Sequence, residues 1–367
     1  MALIAPAHQP GEAFAGETEA TIAFNAGGNL ASSFVWVAVV AVCAAAVLAV
    51  LVIAGVLDAR AILAAALQIN AATLTGVLAL SLANYGLRGL RWHLFAREIA
   101  PSIGCRENLG YYFTGFAFLI TPAKVGEVVR LWLMKLRHGV PYSRSLSILV
   151  LDRMTDLVSL LLFAALGAIA ATQHAGAIAA FIVILAAGAA LLCVRRFVVT
   201  SALVCHRLTG RRWPGLFRFG LGSYRTVREL CRPRVLGLAI GLSIAAWGAQ
   251  IAGMWLLLDA LGLPVDPLFA AFVFSFSVLM GVVPFFPGGV GGAEATMVGL
   301  LLLAGMSSES AVTATIISRL ATLWFALLIG FVVAPVEIGR ARARGRFDRS
   351  DVQANSGKAS AVAGASV

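Results

Sequence analysis

The sequence predicts an all-α polytopic membrane protein, an inverted repeat with about six full spans and two interrupted, re-entrant helical hairpins. Three observations predict it. Hydrophobic residues make up 60% of the 367 and charged residues only 12%, against about 25% charged in a soluble domain, and the mean hydropathy is +0.92. The Lys and Arg behind the net charge of +11 cluster in a few loops, which is the pattern that orients membrane proteins and not that of a nucleic-acid-binding face. Finally, two apolar segments broken by Pro and Gly stand at matching places in the two halves, each with a carboxylate beyond its break.

Residues 1–33 are small, polar and acidic and carry no Lys or Arg. They lack a signal peptide's charged start and read as a disordered tail. The transmembrane unit is expected over 34–338. Phe34–Leu57 is the first apolar run, long enough for a hydrocarbon core of roughly 30 Å. Ile69–Leu87 is the second, ended by Arg88, Arg91 and an interfacial Trp92, with Arg97, Arg106 and Glu107 in an amphipathic connector. The first interrupted segment follows from Leu109 to Leu136, then a basic loop with Lys135, Arg137, His138 and Arg144. Leu146–Ala171 and Ala175–Val194 are the third and fourth spans. The arginine-rich loop 195–234, with a lone Glu229, is read as retention on the cytoplasmic side plus attraction to anionic lipid, or as a partner-binding loop. Val235–Leu261 is the fifth span, Gly262–Pro267 a turn, Leu268–Ala304 the second interrupted segment, and Val312–Val333 the last span. Residues 339–367 read as a basic, disordered cytoplasmic tail.

Thr121–Arg130, T-P-A-K-V-G-E-V-V-R, is the stretch around which the rest is organised. Pro122 and Gly126 break the helix, and Lys124, Glu127 and Arg130 recur every three residues, on one helical face. Charge at such depth costs about 2.5–3.5 kcal/mol per residue and marks a pathway or site, unless the side chains snorkel to the surface. The pattern returns after about 166 residues: Pro122 falls near Pro287, Glu127 near Glu294, Gly139 on Gly305 and Arg153 on Arg319. The second break, P-G-G-V-G-G, contains Pro287, Gly288, Gly289, Gly291 and Gly292. It lacks the Lys and Ser/Thr of a phosphate-cradling nucleotide loop, so its glycines are assigned to bending the backbone beside a cavity. The repeat copies are about 109–160 and 275–326. With basic loops inside, both termini are cytoplasmic, each interrupted segment enters and leaves on one side, and the copies are inverted, an architecture that supports alternating access.

On the third span Asp152 and Asp156 stand one turn apart, with Arg153 between them in sequence. One reading is a self-neutralising network that fixes helix packing. The other is that Arg153 holds an anionic group, since its planar fork bonds two phosphate oxygens at once, while the aspartates orient that group or carry a proton. Arg319 has no acidic neighbour in its own span, so Glu294 or a ligand phosphate is expected as its counterion. The five cysteines and five histidines show no metal-ligand or redox spacing, and neither a catalytic triad nor a soluble catalytic domain is expected. No metal, cofactor or nucleic-acid partner is expected.

The ordered motifs T-P-A-K-V-G-E-V-V-R, L-D-R-M-T-D-L, P-G-G-V-G-G-A-E and S-R-L-A-T-L-W resemble the lysylphosphatidylglycerol synthase transmembrane region family, over roughly residues 34 to 338. Members are described as flippase-like membrane proteins, and in the two-domain synthases a separate cytosolic domain makes the aminoacyl lipid. The resemblance covers the membrane region alone, so no aminoacyltransferase activity is expected. The resemblance implies a flippase-like membrane protein and does not fix the substrate; the charge pattern and the inverted repeat add the expectation of an inner-membrane lipid translocase that moves an anionic or phosphate-bearing lipid by alternating access, with Lys124, Glu127, Arg130, Asp152, Arg153, Asp156, Glu294 and Arg319 at its site. Rival readings are an intramembrane enzyme transferring a lipid-linked group and a non-catalytic partner of a lipid-biosynthesis enzyme.

Overall fold

The computed structural model describes residues 67–119, 121, 127–170, 214–263, 265–282 and 291–341, together with Arg60 and Ala64. The expected spans 34–57 and 175–194, the N-terminal tail, most of the C-terminal tail, and Pro122, Lys124, Gly126, Pro287, Gly288 and Gly289 lie outside the described residues. Among the described residues regular structure is helical throughout, with no strand.

Nine helices follow in order among these residues. They are α1 (Ala71–Ile99), α2 (Cys105–Thr114), α3 (Val129–His138), α4 (Tyr142–Ala170), α5 (Pro214–Leu230), α6 (Pro233–Ala260), α7 (Pro267–Val282), α8 (Gly292–Leu303) and α9, which starts at Ser308 and runs to Ala341. Local chemistry sets their limits. Asn70 caps α1 by accepting from Thr73 N at 2.7 Å, Ser307 caps α9 by accepting from Ser310 N at 3.3 Å, and Pro233 opens α6, where its missing N–H costs nothing. Both interrupted segments are broken helices: α2 and α3 make the first, α7 and α8 the second. Their second arms end alike, at Gly139 with φ 65° and Gly305 with φ 86°, the left-handed conformation that glycine adopts without steric cost.

The core is divided in two, one half around each interrupted segment. Trp92, Tyr111, Tyr112, Phe116, Leu133 and Met134 pack where α1 meets α2 and α3. Met254, Leu257, Phe272, Phe274, Met297 and Leu301 pack where α6 meets α7 and α8. Two glycines let the first segment approach its neighbours. A side chain at Gly330 of α9 would run into the backbone of Ala117, in the 3-10 turn Gly115–Phe118 that follows α2, and one at Gly115 would run into the Arg130 guanidinium.

The outward surface is apolar. Leu74, Leu78 and Leu82 on α1 are exposed at four-residue spacing, as are Val158, Leu162 and Leu166 on α4, and Leu328, Val332 and Val336 on α9. Rows of this kind on several helices suit hydrocarbon surroundings and are rare on soluble monomers. Helices α6 and α9 are long and apolar enough to cross a bilayer. Helices α1 and α4 have 29 residues each, or roughly 43 Å of helix, and carry charge in their interiors.

One expectation is corrected. Arg88, Arg91 and Trp92 do not end a span at the interface: α1 continues unbroken to Ile99, and Arg91 and Trp92 are fully buried. The reason is that Asp152 and Asp156 of α4 supply counterions to the arginines. The exposed arginines instead gather at one end of the bundle, with Arg97, Arg106, Arg144, Arg225, Arg228, Arg232, Arg234 and Arg340 at the adjoining helix termini and on α5. Arg232 reaches Glu98 at 3.2 Å across that end. The opposite end presents Asp259, Asp266 and Glu309.

Candidate functional site: a buried arginine–carboxylate network

Arg88 and Arg91 lie three residues apart and therefore on one face of α1; Asp152 and Asp156 share a face of α4 in the same way. Helix packing brings the faces together. Arg91 bonds Asp152 through Nε and Nη2 and reaches Asp156 at 2.8 Å, while Arg88 reaches Asp156 at 2.8 Å. Helix α6 completes the shell: Ser243 Oγ accepts from Arg91 Nη1 at 2.7 Å, and Trp247 Nε1 donates to Asp156 at 2.9 Å. The Asp152 carboxylate is shared between Arg91 and Arg153, 2.7 Å from the latter. Removing one partner from such a buried pair leaves a charge uncompensated, which is far costlier than the pair itself.

The first interrupted segment adds Glu127 and Arg130. Glu127 Oε2 lies 3.5 Å from Arg130 and 3.5 Å from Arg153, inside ion-pair range and longer than a good hydrogen bond. The Arg130 guanidinium is stacked 4.3 Å from the Tyr112 ring centre, 5.3 Å from Trp92 and 5.9 Å from Phe116. Its side chain is 1% exposed, yet Nε and Nη1 form no hydrogen bond. Arg153 is the arginine of this group that opens outward, with 30% of its side chain exposed. Four arginines (88, 91, 130 and 153) thus face three carboxylates (127, 152 and 156), a cationic excess of one among the described residues.

The second interrupted segment forms its own pair. Glu294 lies in the first turn of α8, where one carboxylate oxygen accepts from Gly291 N at 2.7 Å and the other pairs with Arg319 of α9. Gly291 has φ 96°, a conformation reserved for glycine, so this residue of the expected break does bend the chain, and Gly292 opens the helix. Glu127 and Arg153 are separated in sequence almost as Glu294 and Arg319 are, which stand 25 residues apart. Just past Arg319, α9 widens into a π-helical turn, Leu320–Trp324. Tyr85 of α1 inserts its hydroxyl there, 2.7 Å from Thr322 O and 3.0 Å from Ala321 O. Such π turns are frequent at functional sites.

Of the residues expected at a site, Glu127, Arg130, Asp152, Arg153 and Asp156 meet in one network, and Glu294 and Arg319 in a second pair. The expected counterion of Arg319 is Glu294. Sequence reasoning missed Arg88, Arg91, Tyr85, Tyr112 and Trp247. The available signal was the pairing of Arg88 and Arg91 on one helical face, opposite in charge to Asp152 and Asp156. Among the described residues no three His, Cys, Asp or Glu side chains converge as metal ligands.

At the basic end Arg137 bridges Glu107 of α2 at 2.8 Å and Glu337 of α9 at 3.4 Å, tying both arms of the first segment to the last helix. Burial pushes the Glu107 carboxyl up, but the Tyr111 hydroxyl, Arg137 and His138 outweigh it and hold it below the usual carboxylate range. With its folded value depressed, Glu107 contributes stability throughout the neutral range, lost only as pH falls through that lowered value.

Comparison with known proteins places the chain. A family model described as lysylphosphatidylglycerol synthase TM region matches residues 32–330. A UPF0104 membrane protein of Methanothermobacter thermautotrophicus is 24% identical over 269 residues, covering 67% of this chain and 80% of that one. The UPF0104 membrane protein PH1989 of Pyrococcus horikoshii is 24% identical over 273 residues, 66% of this chain and 81% of that one. Glycosyltransferase AglD of Haloferax volcanii is 26% identical over 280 residues, 64% of this chain but only 44% of that longer protein.

The network makes a stability prediction. Arg91→Met leaves Asp152 and Asp156 short of a buried counterion and is expected to cost about 3–5 kcal/mol. The double change Arg91→Met with Asp152→Asn should recover much of it. Thermal unfolding in detergent measures both, and an Arg91→Met protein that unfolds with the parent would show that the network does not support the bundle.

Proposed function

The chain belongs to the lysylphosphatidylglycerol synthase TM region family, and on that premise we propose that it is a membrane lipid translocase, moving an anionic or phosphate-bearing lipid between leaflets by alternating access. One observation carries the reading: each repeat copy holds an arginine of a long helix, Arg153 or Arg319, against a carboxylate beside its Pro/Gly break, Glu127 or Glu294. Broken helices that meet charged groups inside the membrane are how transporters build substrate sites. A lipid phosphate and Glu127 compete for Arg153. At 3.5 Å from Arg153, Glu127 balances the arginine's charge at a distance longer than a good hydrogen bond. Because Glu127 belongs to the broken segment, exchange of one anion for the other also releases the segment to move. Acyl chains stay in lipid while the headgroup crosses.

The similarity to part of a protein named a glycosyltransferase favours a second cargo class, a sugar-bearing lipid. A phosphate link to the sugar would present the same oxyanion to Arg153. The intramembrane-enzyme reading has less support, because Asp152 and Asp156 are already engaged by arginines.

The proposed location is the inner (cytoplasmic) membrane, with the arginine-rich end in the cytoplasm. Cys105 and Cys231 are exposed at that end. They are expected to react with an impermeant maleimide in inside-out vesicles and stay unlabelled in intact cells; labelling in intact cells reverses the orientation.

Arg153→Lys and Arg319→Lys test the function. Lysine keeps the charge but loses the planar fork that grips two phosphate oxygens. Both variants are expected to reach the membrane in parental amounts and to translocate lipid at least tenfold more slowly in reconstituted vesicles, a factor equivalent to ~1.4 kcal/mol. Parental rates would make the arginines purely structural.

A further inference from the structure

The first-copy network carries more than balanced pairs. Five buried donor atoms there have no hydrogen-bond partner: Arg88 Nε, Arg130 Nε, Arg130 Nη1, Arg153 Nε and Tyr112 Oη. A buried polar group left without a partner is costly and is rare in folded proteins. Here the unpartnered atoms belong to one neighbourhood. Tyr112 faces Arg130 across 4.3 Å, and its hydroxyl lies within electrostatic reach of Arg88, Asp152, Arg130 and Arg91. All five are donors, and four of them are cationic.

We infer that Arg130, Tyr112 and Arg153 form a phosphate-binding subsite, in which the Tyr112 hydroxyl and the two guanidinium groups donate to the oxygens of one phosphate group. The subsite deepens the translocase reading and rests on it for the source of that phosphate, a lipid headgroup. Three features suit the ligand. Arg88, Arg91, Arg130 and Arg153 bring four guanidinium groups to one neighbourhood, which suits an anion. The aromatic rings of Trp92, Tyr112 and Phe116 hold the Arg130 guanidinium in place without using its donors, so its fork is oriented before the ligand arrives. Arg153, 30% exposed, is the member of the three that a ligand meets first. Gly115 is part of the subsite too, since any side chain there would displace Arg130. The second copy differs: Glu294 is shared between Arg319 and Gly291 N, so its charge is held by two donors. Arg319 Nη2 is also without a hydrogen-bond partner, but the first copy gathers five such donors from four side chains, and the phosphate binds there.

Binding to the purified full chain in an uncharged detergent tests the subsite, read through tryptophan fluorescence because Trp92 borders Arg130. The probes are dihexanoyl phosphatidylglycerol, inorganic phosphate and dihexanoylglycerol, which has no phosphate. The phosphatidylglycerol is expected to bind and the diacylglycerol not. Tyr112→Phe removes only the hydroxyl and is expected to weaken phosphatidylglycerol binding about tenfold, the size of one hydrogen bond to a charged group. It should leave the unfolding temperature of the ligand-free protein unchanged, because that hydroxyl has no partner to lose. Arg130→Lys, which keeps the charge, should weaken binding further. Binding of inorganic phosphate alone, sensitive to Tyr112→Phe, would uphold the subsite and sink the lipid reading. Phosphatidylglycerol binding without translocation in vesicles would likewise uphold the subsite and remove only the transport function. Equal binding of the diacylglycerol, or parental affinity in both variants, would overturn the subsite.

Discussion

Arg91 has no access to water, and neither has Asp152: both side chains are fully buried. A charge in that position must bring its counterion from another helix, and Arg91 takes two, spanning Asp152 and Asp156. This requirement fixes α1 against α4 in register and rotation, since a shift of either helix by one residue would turn the charges away from each other. Helix α6 then joins through Ser243 and Trp247, whose polar atoms satisfy what remains of the same charges. A buried network of this kind adds little net stability over an apolar interface, but it tolerates few alternative packings. The network forms a wall against which Glu127 and Arg130 of the first broken segment pack.

Against that wall the two segments are held differently. In the first copy Glu127 touches two arginines loosely, and Arg130 lies stacked on aromatic rings with donors unspent. In the second copy Glu294 both caps α8 and bonds Arg319, and the π turn beside Arg319 is filled by the Tyr85 hydroxyl. Tyr85 lies a single turn from Arg88 on α1, so the same helix contacts the α9 π turn and the first-copy network. The Arg137 bridge between Glu107 and Glu337 adds a further tie between the first segment and α9 at the basic end.

Much of this was legible in the residues. Pro, Gly and Glu recurring at nearly one offset pointed to two broken helices with carboxylates at matching places, and the structure pairs each carboxylate with the arginine that recurs at close to the same offset. Gly139 and Gly305, matched only by position, share the left-handed conformation that ends a helix. Arg88 and Arg91 were misread because a pair of arginines at the end of an apolar run looks like a cytoplasmic loop, and their counterions lie more than 60 residues away, on another helix. Hydropathy weighs a charge by its residue type, whereas its real cost depends on its partner. Tyr112 carried no signal at all. An aromatic residue in an apolar stretch becomes part of a site only when packing sets it beside Arg130.

Competition between Glu127 and a lipid phosphate for Arg153 is the central claim, and the affinity of Glu127→Gln for a short-chain phosphate lipid tests it most directly. Glutamine keeps the shape and removes the competing charge. This variant is expected to bind dihexanoyl phosphatidylglycerol more tightly than the parent, by about tenfold for ~1.4 kcal/mol of relieved competition. Equal or weaker binding would contradict it, and would mean that Glu127 holds the segment in place and does not stand where the phosphate goes.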